Sequence, residues 1–287
     1  MSGADVDVVV QGASVESDEL ASLAAITDPD AIEAIPARAG ATVVAWRLRG
    51  VRDAGGVREA CAAAGLDCAI VPRDRRLADL RVLALDMDST LITIECIDEI
   101  ADHAGRKAEV AAVTAAAMRG EIDFAGSLQR RVALLAGLPV DTLDAVYRDR
   151  LELSPGARVL LDAARAAGAK TLLVSGGFTF FTERLKASLD LDAAVANTLE
   201  AIDGRLTGRV RGPIVDADRK AAALSAMRAE HAADGGIVAA IGDGANDLPM
   251  LREADVSVAY RAKPAVRARA THAIDHGGLD AVLNLFN

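Results

Sequence analysis

Apolar and polar positions fall into two textures along the chain. Up to about residue 78 the apolar runs are short. VDVVVQG (6–12), ATVVAWRLRG (41–50) and DCAIVP (67–72) have the makeup of strands, while SDELASLAAIT (17–27) and GVREACAAAGL (56–66) carry helical spacing. Ser17 or Asp18 is the expected cap of the first helix, and Gly65 the stop of the second. VPRDRRLADL (71–80) is charged and proline-bearing, which predicts a linker and a boundary near residue 78.

From residue 81 the strands become continuous apolar runs followed by long helices. RVLALDMDST (81–90), KTLLVSGG (170–177) and GIVAAIGDGAND (236–247) read as strands buried on both faces of a parallel sheet, with DVSVAY (255–260) and THAIDH (271–276) as shorter companions. SPGARVLLDAARAAGA (154–169) predicts a helix with Ser154 as cap, Pro155 in its first turn and Gly168 at its end. Residues 93–153 hold helical patterns without strand candidates and predict an insertion over the sheet. The fold class is α/β: a Rossmann-like parallel sheet with helices on both faces, right-handed crossovers and a small helical cap.

Composition narrows the function. The 287 residues are 52% apolar and only 3% aromatic, so the chain can build a core but has little with which to stack nucleic-acid bases. The net charge is −10, divided as 13 acids against 8 bases in residues 1–80 and a further −5 beyond, so no basic domain is hidden in the average and nucleic acid is an unexpected partner. No apolar run approaches the ~18–20 residues that span a bilayer. The opening MSGADVDVVV lacks a positively charged leader region. Cys61, Cys68 and Cys96 show neither metal-ligand spacing nor a disulfide framework, as expected of a reduced, cytoplasmic protein with no membrane association.

The chemistry gathers at strand ends. Asp86, Asp88, Ser89 and Thr90 end one strand, Ser175, Gly176 and Gly177 the next, and Asp243, Gly244, Asn246 and Asp247 the third. Ligands of open α/β sheets bind beyond the carboxyl ends of the strands, so these groups converge on one crevice. Any one cluster could simply cap a helix, as Asn246 could near Ala245; three at successive strands point to a site. Four carboxylates would share it, and two like charges about 4 Å apart repel by ~4 kcal/mol at an effective dielectric of ~20. The site therefore calls for a cation, and oxygen donors without paired Cys or His favour Mg²⁺.

LDMDST (85–90) resembles the first motif of the haloacid dehalogenase superfamily of aspartate-nucleophile phosphatases, VSGG (174–177) the second, Lys220 the third and GDGANDLPM (242–250) the fourth. With ANTLEAIDGRLTG (196–208), the resemblance runs from 81 to 276 and is similar to the phosphoserine-hydrolysing branch. It implies Asp86 as nucleophile, Asp88 as general acid and base, and a metal held by Asp86, Asp88 and Asp243 with Asp247 in support. Ser175, Gly176, Lys220 and Asn246 would bind the phosphoryl group. Lys220 is one of five lysines against 27 arginines, which favours a specific role over a solvated charge. Glu95 and Arg131 of the insertion would take the ammonium and carboxylate of an amino-acid head group, with Met118 and Phe124 walling off water.

These implications add up to Mg²⁺-dependent hydrolysis of O-phospho-L-serine, the last step of serine synthesis. The alternatives are the same chemistry on another small phosphomonoester, phosphoryl transfer to an alcohol, or an amino-acid-sensing protein with a vestigial site. Residues 1–78 resemble the small ACT domains, which imply amino-acid binding or a homodimer, although only three of that fold's four strands are evident, with DPDAIEAIPARAG (28–40) unassigned. His103, His231, His272 and His276 lie off the motifs and read as structural, as does Cys96.

Overall fold

The computed structural model describes residues 6–287; the first five residues of the expected 1–78 domain lie outside them. The chain begins β1 (Val6–Gly12), α1 (Ser17–Thr27), β2 (Ala31–Ile35), β3 (Val44–Arg49), α2 (Val57–Ala63), β4 (Asp67–Pro72). These four strands form an antiparallel sheet ordered β2-β3-β1-β4. The strand missing from the pattern is β2, inside the unassigned 28–40 stretch. Four of its five residues are exposed, so it offers no apolar face to read. The cap of α1 is Glu16 rather than Ser17 or Asp18, and its backbone N–H donates to the Glu19 carboxylate at 2.8 Å.

The second sheet contains β5 (Leu80–Leu85), β6 (Lys170–Phe178), β7 (Ala193–Ile202), β8 (Arg205–Arg211), β9 (Ile237–Gly242), β10 (Val256–Tyr260) and β11 (His272–Ile274), ordered β11-β10-β9-β5-β6-β7-β8. All neighbours are parallel except β7 and β8. That hairpin was not predicted from the sequence, because neither strand buries a continuous face. Its two-residue turn did carry a signal: Asp203 and Gly204 both take positive φ, 49° and 74°, as the Asp-Gly dipeptide favours.

The central strands are buried on both sides, and β5 alternates between them. Val82 and Ala84 pack under α9 (Ala217–His231), α10 (Leu248–Arg252) and α11 (Pro264–Arg267); Leu83 and Leu85 share the opposite core with α7 (Ala157–Ala166) and α8 (Thr179–Leu189). Helix α7 starts after Gly156, at φ 75°, so Ser154 is not its cap; a Cβ at Gly156 would collide with Asp280. Four helices, α3 (Cys96–His103), α4 (Lys107–Met118), α5 (Phe124–Ala133) and α6 (Asp141–Asp149), make up the insertion. None of the described helices is long and apolar enough to cross a membrane.

The two sheets do not hang apart on a linker. Val8 and Val10 of β1 face the helices of their own unit, whereas Val9 joins the core that includes Leu279–Phe286 at the end of the chain. The buried Arg47 guanidinium donates to the carbonyls of Asn284 and Phe286, and Asp67 accepts from the backbone N–H groups of Asp275, His276 and Gly277. His272 lies in this region with Nε2 2.9 Å from Arg75, and burial holds its pKa down at about 3, as a structural histidine requires. Asp67→Ala strands three backbone donors and should lower unfolding stability by about 2–4 kcal/mol in a denaturant titration. No loss would mean that these contacts do not bind the two sheets.

Candidate active site

Asp86 follows the last residue of β5 and enters the crevice beyond the sheet, where its Oδ1 accepts the Met87 N–H at 2.7 Å and faces Lys220 Nζ at 2.8 Å. The same ammonium donates to Asp247 Oδ1 at 2.7 Å, and Lys220 is 1% exposed. Burial pulls its pKa down, but Asp86 and Asp247 outweigh burial and hold it above the ordinary lysine range. Asp247 sits after β9 with its second oxygen on the Gly244 N–H at 2.9 Å. Gly242 must be glycine there, because a Cβ would come within 2.5 Å of that carboxylate. The Asp86, Asp243 and Asp247 oxygens lie within 4.8 Å of one another, a group of hard donors suited to a divalent cation.

The second cluster does not follow its strand but interrupts it. The pairing of β6 with β7 passes from Val174–Val195 to Phe178–Asn197, so Ser175, Gly176 and Gly177 bulge out of register into the crevice. Ser175 Oγ accepts the Gly177 N–H at 2.8 Å, which leaves its proton free to donate forward. Asn197, which sequence reasoning passed over inside ANTLEAIDGRLTG, pins this bulge: its amide donates to the Gly176 carbonyl and accepts the Val215 N–H, both at 2.8 Å. Gly177 is also tightly placed, since a Cβ would lie 2.9 Å from Asp88 Oδ2.

One cavity of about 600 Å³ collects Asp86, Asp88, Glu95, Met118, Phe124, Arg131, Ser175, Gly176, Asp243 and Asn246, with Lys220 and Asp247 buried beneath its floor. Phe124 closes over the bulge, its ring 2.9 Å from where a Gly176 Cβ would stand. Met118 borders the cavity but is 68% exposed, so in this structure it does not exclude water as the sequence led one to expect. Asn246 caps no helix; Gly244 and Asp247 occupy the cap positions, and Asn246 borders the cavity. Asp98 and Lys263 also line it without having been singled out. Cys96 is buried with its thiol pKa pushed up by burial, which fits packing rather than nucleophilic work.

The charges in the cavity segregate. At the floor, Asp86, Asp243 and Asp247 crowd together, while Asp88 stands beside Glu95 and Cys96. Burial and the neighbouring Asp247 raise Asp86 well above the carboxylate range, burial and Glu95 raise Asp88 to about 7, and burial and Asp247 raise Asp243 to about 6. At the cap end, Arg131 stands with Asp98 and Glu95; its Nε is buried without a hydrogen-bond partner, and burial lowers its pKa against the pull of Asp98. Asp88 and Asp243 keep their protons to higher pH when folded, so between about pH 4 and 7 these two groups bind more protons in the folded chain than in the unfolded one. Metal-free stability should therefore fall as pH rises through about 7. Asp243→Asn keeps the acceptor for the Thr90 hydroxyl, 3.2 Å away, while removing a charge. It should raise the chelated protein's unfolding midpoint at pH 8 by about 2–4 °C, or ~1 kcal/mol; a lower midpoint would contradict this repulsion.

Comparison with known proteins agrees with this fold. Residues 83–252 match the model of the haloacid dehalogenase-like hydrolases. A phosphoserine phosphatase of Polaromonas sp. is 54% identical over 226 residues, which span 77% of this chain and 96% of that protein. Among solved structures, a HAD family hydrolase of Salmonella enterica serovar Typhi superposes with a TM-score of 0.87 at 33% identity, covering 98% of this chain and 99% of its own. A probable phosphoserine phosphatase of Vibrio cholerae gives 0.81 at 35%, covering 99% and 87%. The family match spans more than half of the chain, which belongs to the haloacid dehalogenase-like hydrolase family.

Proposed function

We propose that this chain hydrolyses O-phospho-L-serine to L-serine and inorganic phosphate through a phosphoaspartyl intermediate on Asp86, the closing step of serine synthesis. The observation that carries the reading is the division of the cavity. An acidic, lysine-backed floor for a phosphoryl group and its metal faces a cap end where Arg131, Glu95 and Asp98 match the opposite charges of an amino-acid head group. The phosphoserine phosphatase of Polaromonas sp., 54% identical to this chain over 226 residues, supports it.

Mg²⁺ is the cation we assign, because the donors are carboxylate oxygens without Cys or His. Asp86, Asp243 and the Asp88 carbonyl would hold it, with Asp247 in support, since both Asp247 oxygens already accept hydrogen bonds from Lys220 and Gly244. Its positive charge offsets the repulsion between a phosphate dianion and a carboxylate nucleophile.

The chain's own groups then divide the work. Lys220 and the Met87 N–H share Asp86 Oδ1, leaving Oδ2 to attack phosphorus. As that O–P bond forms, the bond to the serine oxygen breaks and Asp88, protonated up to about pH 7, gives it a proton. Asp88 next takes a proton from water, which attacks phosphorus, releases phosphate and restores Asp86. The Ser175 hydroxyl, the Gly176 N–H and Asn246 would donate to the phosphoryl oxygens. Arg131 would hold the substrate carboxylate and Glu95 its ammonium, with Phe124 closing the entrance over the bulge and Met118 at its exposed rim. We place the protein in the cytoplasm, where its three free cysteines stay reduced. For the amino-terminal unit we retain an ACT-like role, with a homodimer formed along the exposed strand β2.

Phosphate release from O-phospho-L-serine should require Mg²⁺, stop with chelator and fall about 10³-fold or more in Asp86→Asn. Arg131→Ala should lower kcat/KM for phosphoserine by about 10²-fold and that for p-nitrophenyl phosphate far less. Equal losses on both substrates would remove the head-group assignment, and metal-dependent turnover of other phosphomonoesters alone would remove phosphoserine.

A further inference from the structure

Ser89 of the first motif has no part in the scheme above, and its conformation is unusual. It adopts φ 54° and ψ 3°, in the left-handed region that glycine and asparagine enter readily and serine does not. A residue that breaks a local rule at a site needs a compensating gain, and here two contacts provide it. The Ser89 N–H donates to the Ile94 carbonyl at 3.2 Å, and the Ser89 hydroxyl donates to Glu95 Oε1 at 2.7 Å. The next residue reaches the other way, with the Thr90 hydroxyl 3.2 Å from Asp243. The left-handed turn therefore sends consecutive hydroxyls to opposite ends of the cavity, Thr90 to the acidic floor and Ser89 to the cap.

Glu95 needs such a restraint. It is exposed to the cavity, precedes α3, and makes no cap hydrogen bond to that helix. Arg131 and Asp98 pull and push on it as charges, but no ion pair within 4.0 Å fixes it among the described residues, and the Ser89 hydroxyl is the hydrogen-bond donor that does. The rest of the loop is held independently, with the Cys96 N–H donating to Asp88 Oδ1 at 3.2 Å. We propose that Ser89 is a positioning residue for substrate selection: its hydroxyl aims the Glu95 carboxylate at a cationic group on the substrate, here the ammonium of an amino-acid phosphomonoester. This rests on the reading of Glu95 given under the proposed function.

The test measures kcat and KM for O-phospho-L-serine and for p-nitrophenyl phosphate, which has no ammonium, in the wild-type chain and in Ser89→Ala, Ser89→Gly and Glu95→Gln. Loss of one charge-assisted hydrogen bond at an exposed carboxylate should raise KM for phosphoserine about 3- to 10-fold. The ratio of kcat/KM for phosphoserine to that for p-nitrophenyl phosphate should fall by the same factor in both Ser89 variants. Ser89→Gly relieves the backbone without returning the hydroxyl, so it should not rescue. A ratio preserved in both variants, a ratio restored by glycine, or equal losses of kcat on the two substrates would overturn the proposal. If Glu95→Gln collapses the ratio while the Ser89 variants keep it, the positioning role alone fails; if Glu95→Gln also keeps it, the reading of Glu95 fails and takes this one with it.

Discussion

Lys220 is the ion on which the site depends. Its ammonium bridges Asp86 and Asp247 at 2.8 and 2.7 Å in near-complete burial, joining α9 to the ends of β5 and β9. A buried carboxylate without a partner is costly, and here two stand close to each other and to Asp243. One fixed positive charge makes that crowding tolerable, orients Asp86 by one oxygen and leaves the residual negative charge for a metal to neutralise. A lysine suits this place because a compact ammonium can donate to two carboxylates at once.

From that floor the cavity is built outward by devices that each place one group. The β6 bulge projects Ser175 and its two glycines, and Asn197 pins the bulge from β7. Close approach dictates glycine at Gly176, under Phe124, and at Gly177, against Asp88. The helical insertion brings Arg131 opposite, in an end of the cavity whose charges are mixed where those of the floor are acidic. On the proposed reading, phosphoryl chemistry sits on the rigid sheet and substrate choice on the cap, so the head-group pocket can vary while the chemistry below is kept.

Much of this was legible in the chain. Continuous apolar runs that stop at Asp86 and Asp243 placed two of the three clusters, because a strand buried on both faces leaves no other pattern. The third was readable as a cluster but not as a bulge, which depends on the register with β7. Asp98 escaped notice because its presence in the cavity is set by how the insertion folds back over the sheet. Strand β2 escaped because it buries almost nothing, and β7 and β8 because their half-buried residues show no alternation. The clasp made by Arg47 and Asp67 links residues more than 200 positions apart and has no local signature.

The central claim is that Asp86 forms a covalent bond to phosphorus. Rapid mixing of the Mg²⁺-loaded protein with ³²P-labelled O-phospho-L-serine, followed by acid quench, tests it directly. The account predicts protein-bound label on the peptide that carries Asp86, chased by unlabelled substrate and absent in Asp86→Asn. Free labelled phosphate formed with no protein-bound species at any time would contradict it.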